Sequence, residues 1–455
     1  MTSGELGDLQ GPLRQFLPRQ RWYAGAAEPS SVTVFHEERM KDGPPVLVDT
    51  LIEADGAVYQ VPIGLRRVDD RPDFLGGRDD GVIGEVAGSD GSWLAYDAVL
   101  DPDLDLALLD VVTSSGESAE RVRPVGGEQS NSSLVYDDRV ILKVFRRLHP
   151  GPNLDIEVTK AISGAGFDHV APPLATLTRT AGGQRFDLAV LQPFLGGGVD
   201  GWALALTSLR DLFGVGDTQS VPMITADMLE PPKPVDPRQA GGDFGAEARR
   251  LGTITAEMHR ALADAFGRET GDGTAWADII EAQVEALQYP GFERGAARRI
   301  LEALREVDDV GPAIRVHGDY HLGQVLRTDA GWFVLDFEGE PERPPAERRQ
   351  RWSALRDVAG MLRSLHYASA VALWERDEEC AGLAGAWEQR NRMAFLEGYL
   401  AVAKANDLLP DEAGTEAVLA AFELEKAVYE LGYEQGHRPD WAGIPLQALQ
   451  RLGVS

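Results

Sequence analysis

The tightest constraint on this chain is one stretch, Val316-His317-Gly318-Asp319-Tyr320-His321-Leu322-Gly323-Gln324-Val325-Leu326, followed by Leu335-Asp336-Phe337-Glu338-Gly339. It reads as a tight loop and then a β-hairpin. Leu326-Arg327 runs into a turn at Asp329-Ala330-Gly331, and Trp332 to Leu335 form a return strand ending on Asp336. Asp319, Gln324 and Asp336 are thereby brought to one end of a short structure.

A carboxylate, an amide and a second carboxylate on this spacing suit phosphoryl transfer. Magnesium is a hard cation, held by one or two protein oxygens plus phosphates and water. Asp336 and the Gln324 carbonyl are the expected magnesium ligands, and Asp319 is left to accept a hydrogen bond from an acceptor hydroxyl. The plainer alternative is that His317, Asp319 and His321 cap and brace a loop while Asp336 merely ends a strand. The whole set in this order favours the chemical reading.

Bulk properties narrow the remaining classes. The 455 residues, 43% hydrophobic and 26% charged, are those of a globular protein large enough for several cores. A net charge of -29 argues against nucleic-acid and anionic-membrane partners, which need a basic footprint. An anionic nucleotide must then be met by local cations, magnesium and backbone amides. The single cysteine, Cys380, allows no internal disulfide and fits a reducing cytoplasm. No signal peptide and no membrane span is read from the sequence. A monomer or weak homodimer is expected.

Taken in order, residues 5–17 have helical apolar spacing stopped by Pro18, and Arg21-Trp22-Tyr23-Ala24-Gly25 follows. Val32 to His36 reads as a strand. Val46 to Ile52 and Val58 to Ile63 read as a hairpin about Asp55-Gly56. Val82 to Val86 and Trp93 to Val99 read as another about Ser89-Asp90-Gly91. These make a small α+β unit over residues 1–95. Residues 96–195 form a second unit. In it Arg121 to Val125 is a strand, Gly126 to Ser133 a loop, Leu134 to Tyr136 a strand, and Val140 to Phe145 a strand carrying Lys143. Small side chains in that loop (Gln129, Ser130, Asn131, Ser132, Ser133) allow close approach to phosphate oxygens. Lys143 lies on the next strand, flanked on its own face by Ile141 and Phe145. It is costly to bury without a partner. Glu157, at the start of the following helix, is the expected partner. Leu188 to Leu191 and Gln192-Pro193-Phe194 lead into Gly196-Gly197-Gly198 as a hinge between lobes. Backbone near Gln192 and Phe194 is expected to meet an adenine edge.

Residues 196–455 read as helical almost throughout, apart from a Pro/Gly/Asp-rich excursion at 214–242. Asp357, in a helix start, either holds the Asp319 loop's backbone from behind or is an ordinary N-terminal helix carboxylate. In the segment from Ala421 to Glu434, Glu423, Lys426, Glu430 and Tyr433 share one helix face. That mixture suits sugar hydroxyls and the C–H faces of a sugar ring, with Trp441 as a further platform. An ordinary solvated face is the competing reading.

These residues carry a resemblance. His317 to Arg327 and Asp336-Phe337-Glu338-Gly339-Glu340-Pro341 resemble the aminoglycoside phosphotransferase/choline kinase group, and more narrowly the bacterial maltokinases. Arg21 to Gly25, Glu128 to Ser132, Leu142 to Arg147 and Glu425 to Glu430 match that family as well, so the similarity spans nearly the whole chain. It implies an α+β, bilobal protein-kinase-like fold with an N-terminal cap domain and a mostly helical C-lobe. It also implies phosphorylation of maltose at the anomeric hydroxyl by ATP with Mg²⁺, feeding α-glucan and glycogen synthesis. Residue by residue, Asp319 takes the catalytic place, Gln324 and Asp336 the magnesium places, Lys143 the phosphate-gripping place and Glu157 its partner. His321, Glu338, Glu423, Lys426, Tyr429, Glu430, Tyr433 and Trp441 fall to the sugar. Gln324 departs from the wider pattern, where Asn is usual. A kinase of glucosamine, an aminoglycoside or choline is the rival within enzymes. A nucleotide-binding pseudoenzyme is the rival outside them.

Overall fold

The structure is a computed structural model, and it describes residues 9–25, 27–88, 91–114, 116–126, 131–218, 243–290, 292–340, 343–374, 376 and 380–454. Contacts divide the chain into two compact units, residues 1–160 with 171–196, and residues 161–170 with 197–455.

The first unit opens with helix α1 (Gln10–Phe16) and strands β1 (Val32–Lys41), β2 (Val46–Ala54), β3 (Ala57–Gln60), β4 (Ile63–Arg67), β5 (Val82–Gly88) and β6 (Gly91–Asp97). There follow α2 (Pro102–Thr113), β7 (Val122–Pro124), β8 (Asn131–Tyr136), β9 (Val140–Phe145), β10 (Arg147–Leu148), α3 (Leu154–Gly164), β11 (Ala175–Ala181) and β12 (Gln184–Pro193). The strands form a seven-stranded sheet in the order β10-β3-β2-β4-β6-β5, with β1 added to β2, and a five-stranded sheet in the order β11-β12-β9-β8-β7. Strand β2 explains the arrangement. Every residue in it except Glu53 is buried, because the larger sheet has a core on each face. Val46, Val48 and Ile52 meet Leu13, Phe16 and Trp22 on one side. Leu47 and Leu51 join Leu104 and Leu108 of α2 and Tyr136, Leu142 and Val144 of the smaller sheet on the other.

Local expectations shift in two places in this unit. The second strand of the first hairpin is split at Val61-Pro62 into β3 and β4, since Pro has no N–H for the ladder. Asn131, Ser132 and Ser133 belong to β8 rather than to a loop, paired with Phe145, Val144 and Lys143. Backbone pairing has overridden their turn-forming composition. The turn residues Ser89 and Asp90, and Gln129 and Ser130, lie outside the described residues.

The second unit contains β13 (Val199–Asp200), α4 (Gly201–Thr218), α5 (Gly245–Phe266), β14 (Arg268–Thr270), α6 (Gly273–Ala286), α7 (Arg294–Glu306) and β15 (Pro312–Arg315). It continues through β16 (Val325–Thr328), β17 (Gly331–Val334), α8 (Pro345–Arg348), β18 (Arg351–Ser353), α9 (Leu355–Ala372), α10 (Ala381–Ala403), α11 (Glu412–His437) and α12 (Gly443–Arg451). Helix α4 extends to Thr218, five residues into the expected excursion, and the rest of that segment up to 242 lies outside the described residues. Strands β14 to β18, each of three or four residues, interrupt the expected run of helices. Strands β16 and β17 are the expected hairpin, whereas β14, β15 and β18 pair with one another across long stretches of chain and carry no periodic signal of their own. Helices α5 and α10 touch backbone to backbone. A Cβ at Gly252 would lie 2.0 Å from the Phe395 carbonyl oxygen, and one at Gly398 would lie 2.1 Å from that of Arg249. Among the described residues no helix is long and apolar enough to cross a membrane.

Candidate active site

In the second unit the hairpin of β16 and β17 pairs Val325 with Val334 and Thr328 with Gly331, as the turn at Asp329-Ala330 requires. The loop before it is fixed from several sides. The backbone N–H groups of His317 and Gly318 donate to the two carboxylate oxygens of Asp357, at 2.7 and 2.9 Å. Asp357 stands in the first turn of α9 and is itself bonded to His259 Nε2 at 3.0 Å. Burial alone would raise the Asp357 pKa. The His259 hydrogen bond, the neighbouring imidazoles and the Gly318 amide more than offset that and hold it below the ordinary value. His259 Nδ1 in turn meets the Tyr399 hydroxyl at 3.0 Å.

His317 braces rather than reacts. Its Nε2–H donates to the Leu335 carbonyl at 2.9 Å, Nδ1 accepts from the Asp319 amide at 3.4 Å, and the ring packs on Phe337 with centroids 4.8 Å apart. Leu335 N then donates to the Gln324 carbonyl at 2.9 Å, closing the loop onto the end of β17. The result brings Gln324 Nε2 to 3.3 Å from Asp336 Oδ2. Asp336 has a φ of 63°, a left-handed conformation unusual outside glycine. Rotating the Gln324 amide by half a turn would set its oxygen beside the carboxylate. One carboxylate and one amide oxygen form the hard donor set that Mg²⁺ takes from a protein, and the residues fit that ion.

Asp319 has partners of its own. Its Oδ1 lies 3.6 Å from Lys426 Nζ of α11, and its Oδ2 3.9 Å from His321 Nε2. His321 caps its own turn, its Nδ1 accepting from Gly323 N at 3.0 Å. Burial, with Lys426 and His317 nearby, lowers the His321 pKa against the pull of Asp319. Lys426 also donates to Glu340 Oε1 at 3.0 Å. Burial would lower the lysine pKa, but Glu340 and Asp319 raise it, so it stays an ammonium. Glu340 is 4% exposed and hydrogen-bonded to Arg343, with Arg356 at 3.7 Å. Burial would raise its pKa, and these three cations bring it down to about 2. Glu425, also buried, closes the network through Arg356 at 2.9 Å and Arg343 at 3.2 Å.

The other expected acceptor residues are placed as follows. Tyr429 and Tyr433 stack along α11, 6.5 Å between centroids, with the Lys426 ammonium 5.2 Å over the Tyr429 ring. Glu423 and Glu430 are tied to arginines of neighbouring helices, Arg392 at 2.6 Å and Arg363 at 2.7 Å. Trp441 meets Trp374 edge-on at 4.4 Å and lies under Arg438 at 4.3 Å. Glu338 is half-buried, and its carbonyl accepts from Arg348 at 3.4 Å. Sequence reasoning missed Glu340, Arg343, Arg356, Glu425 and His259 as parts of this network. The signal available was the acidic pair Glu338 and Glu340 just past Asp336, which spacing alone does not connect to α11.

In the first unit, Lys143 is set on β9 opposite Ser133 of β8 and Val190 of β12. Its Nζ lies 3.5 Å from Asp155 Oδ2, two residues before Glu157 on the same helix. Asp155 is buried, whereas Glu157, on the same turn of α3, is partly exposed. Ser132 spends its hydroxyl on Arg146 Nε at 2.9 Å. The Gln192 side chain donates to the Ala171 carbonyl at 2.8 Å. The Phe194 amide donates to the Arg139 carbonyl at 2.8 Å, which occupies one backbone group expected to face a base.

Fold and loop together define a phosphotransferase of the protein-kinase-like fold. A family model described as the maltokinase N-terminal cap domain matches residues 16–101, and one described as the phosphotransferase enzyme family matches residues 230–339. A glucosamine kinase from Streptacidiphilus jiangxiensis is 31% identical over 72% of this chain and 74% of its own length. Another, from Mycolicibacterium smegmatis, is 28% identical over 84% and 97%. A solved glucosamine kinase (crystal form B) superposes with a TM-score of 0.66 at 23% identity, covering 96% of this chain and 97% of that one. A glucosamine kinase in complex with glucosamine, ADP and inorganic phosphate gives 0.63 at 24% identity, covering 93% and 94%. The chain belongs to the phosphotransferase enzyme family, among the kinases that carry the maltokinase-type N-terminal cap.

Proposed function

We propose that this protein is a maltokinase, transferring the γ-phosphoryl group of ATP to the anomeric hydroxyl of maltose to give maltose 1-phosphate and ADP. The observation that carries this reading is the contact of Lys426 with both Asp319 and Glu340. An acceptor hydroxyl there can donate to Asp319 while accepting from an ammonium. The rings of Tyr429 and Tyr433 offer stacking surface within two turns of the same helix. An acceptor bearing its own ammonium group would meet the Lys426 charge. The match to the maltokinase cap supports the same reading.

In this proposal Asp319 orients the C1 hydroxyl and takes its proton. Lys143, held by an acid of α3, serves the nucleotide phosphates. Gln324 and Asp336 would hold Mg²⁺, which when bound would neutralise charge on the phosphates. Most of the rate comes from positioning. The parts are a cap over residues 1–95, a nucleotide-binding lobe over 96–195 and a helical lobe over 196–455.

A second reading, phosphorylation of glucosamine, draws on the names of the curated relatives. ADP release measured with maltose, glucose, glucosamine, choline and kanamycin separates the two. Maltose is expected to give the highest kcat/KM. Turnover of glucosamine without maltose would replace the first reading with the second, and silence with every acceptor would remove both.

A further inference from the structure

We propose that the helical part of the second unit carries a second binding site, between α10 and α12, for a sugar-sized molecule bearing an oxyanion. A cavity of about 480 Å³ opens there, lined by Glu388, Arg392, Met393 and Leu396 of α10 and by Arg451 of α12. That is the size of an ordinary small-molecule site. A smaller adjoining space of about 110 Å³ adds Arg363 and Glu423. Neither shares a lining residue with the Asp319 loop, although the smaller one includes Glu423.

Three guanidinium groups meeting at one cavity stand out in a chain of net charge -29. Two of them are only partly used. Arg451 bonds through Nη1 alone, to Glu388 Oε1 at 2.5 Å. Arg392 bonds through Nη2 alone, to Glu423 at 2.6 Å. Among the described residues the other N–H groups of both make no hydrogen bond, although each guanidinium carries five donors in a planar fork. That fork matches a phosphate or carboxylate bidentately.

Each acid in the wall already takes one donor of the arginine beside it. Glu388 is 2% exposed, and its second oxygen already takes His366 at 3.0 Å and Ser369 at 3.3 Å. Met393, 64% exposed at the rim, and Leu396 supply apolar surface for the carbon body of the ligand. Spare donors beside an apolar rim select a compact organic anion, a phosphorylated or carboxylated sugar, over a bare hydrophobe.

The test is calorimetric titration of the full chain with glucose 1-phosphate and, separately, with glucuronate at fixed ionic strength. At least one is expected to bind in the sub-millimolar range. Met393→Glu sets a carboxylate at the rim without touching any ion pair. It should weaken that binding by at least about tenfold at unchanged Tm; Arg451→Gln should weaken it likewise, with a lowered Tm because Glu388 loses a cation. Asp319→Asn should leave the binding unchanged. A preference for glucose 1-phosphate marks the anion as phosphate and a preference for glucuronate marks it as carboxylate. Either outcome supports the site. Binding of neither, or binding that survives Met393→Glu, would overturn it.

Discussion

Lys426 Nζ stands 3.6 Å from Asp319 and 3.0 Å from Glu340, so one ammonium of α11 joins the carboxylate of the Asp319 loop to the acid that follows Asp336. Two segments distant in sequence thus present a donor and an acceptor side by side. This pairing leads to the first expectations for solution behaviour.

Asp319→Asn keeps the size of the side chain and removes its basicity. A positioned general base contributes about 10²–10⁴-fold, so kcat should fall by at least about 10²-fold while nucleotide binding persists. Steady-state ADP release beside nucleotide titration reads both. Turnover near that of the parent would remove Asp319 from the chemistry.

Lys426→Met removes the ammonium but leaves Glu340 with Arg343 and Arg356. The protein should fold, with kcat/KM for the sugar lowered by at least about tenfold and KM for ATP within about twofold. An equal loss on both substrates would mean that Lys426 supports the fold and not the acceptor.

Acid should unfold the helical unit through its buried glutamates. Burial would raise Glu340, but Lys426, Arg356 and Arg343 lower it from 4.5 to about 2, and Glu388 falls to about 2 against its own burial through His366 and Arg451. A depressed carboxylate contributes stability that is fully present above its unfolded value and is lost as pH falls through the folded one. The window therefore runs from about 4.5 down to about 2, and for Glu340 it is worth about 3 kcal/mol. Tm followed across this range should drop steeply. Glu340→Gln should start lower at neutral pH and decline less. A parallel decline would clear Glu340 of the effect.

Gly360 of α9 lies under the Asp319 loop, and a Cβ there would come 2.6 Å from the Tyr320 carbonyl oxygen. Gly360→Ala should cost about 1–3 kcal/mol and lower kcat by displacing the loop, with KM for ATP little changed. Thermal unfolding and kinetics together check this. An unshifted Tm would show that the helix backs away without strain.

Much of the site was legible in the sequence because its parts are local. Asp319, Gln324 and Asp336 are separated by a turn and a hairpin whose geometry follows from Gly323, the Asp329-Ala330-Gly331 turn and alternating apolar residues. The structure brings the last two within 3.3 Å of one another. Asp357 was likewise readable as a helix-start carboxylate. Loop composition misled at Asn131 to Ser133, where pairing with β9 makes a strand.

The chain's own order determined the hairpin, the helix periods, the position of Lys143 within an apolar strand and the face shared by Lys426 and Tyr433, since each depends on neighbours a few residues apart. Only tertiary packing decided that Lys426 would meet Asp319, and that Glu423 and Glu430 would be claimed by Arg392 and Arg363. Ion pairing at 3–4 Å depends on how whole helices pack, and no sequence spacing encodes which of several equivalent acids a buried cation will reach.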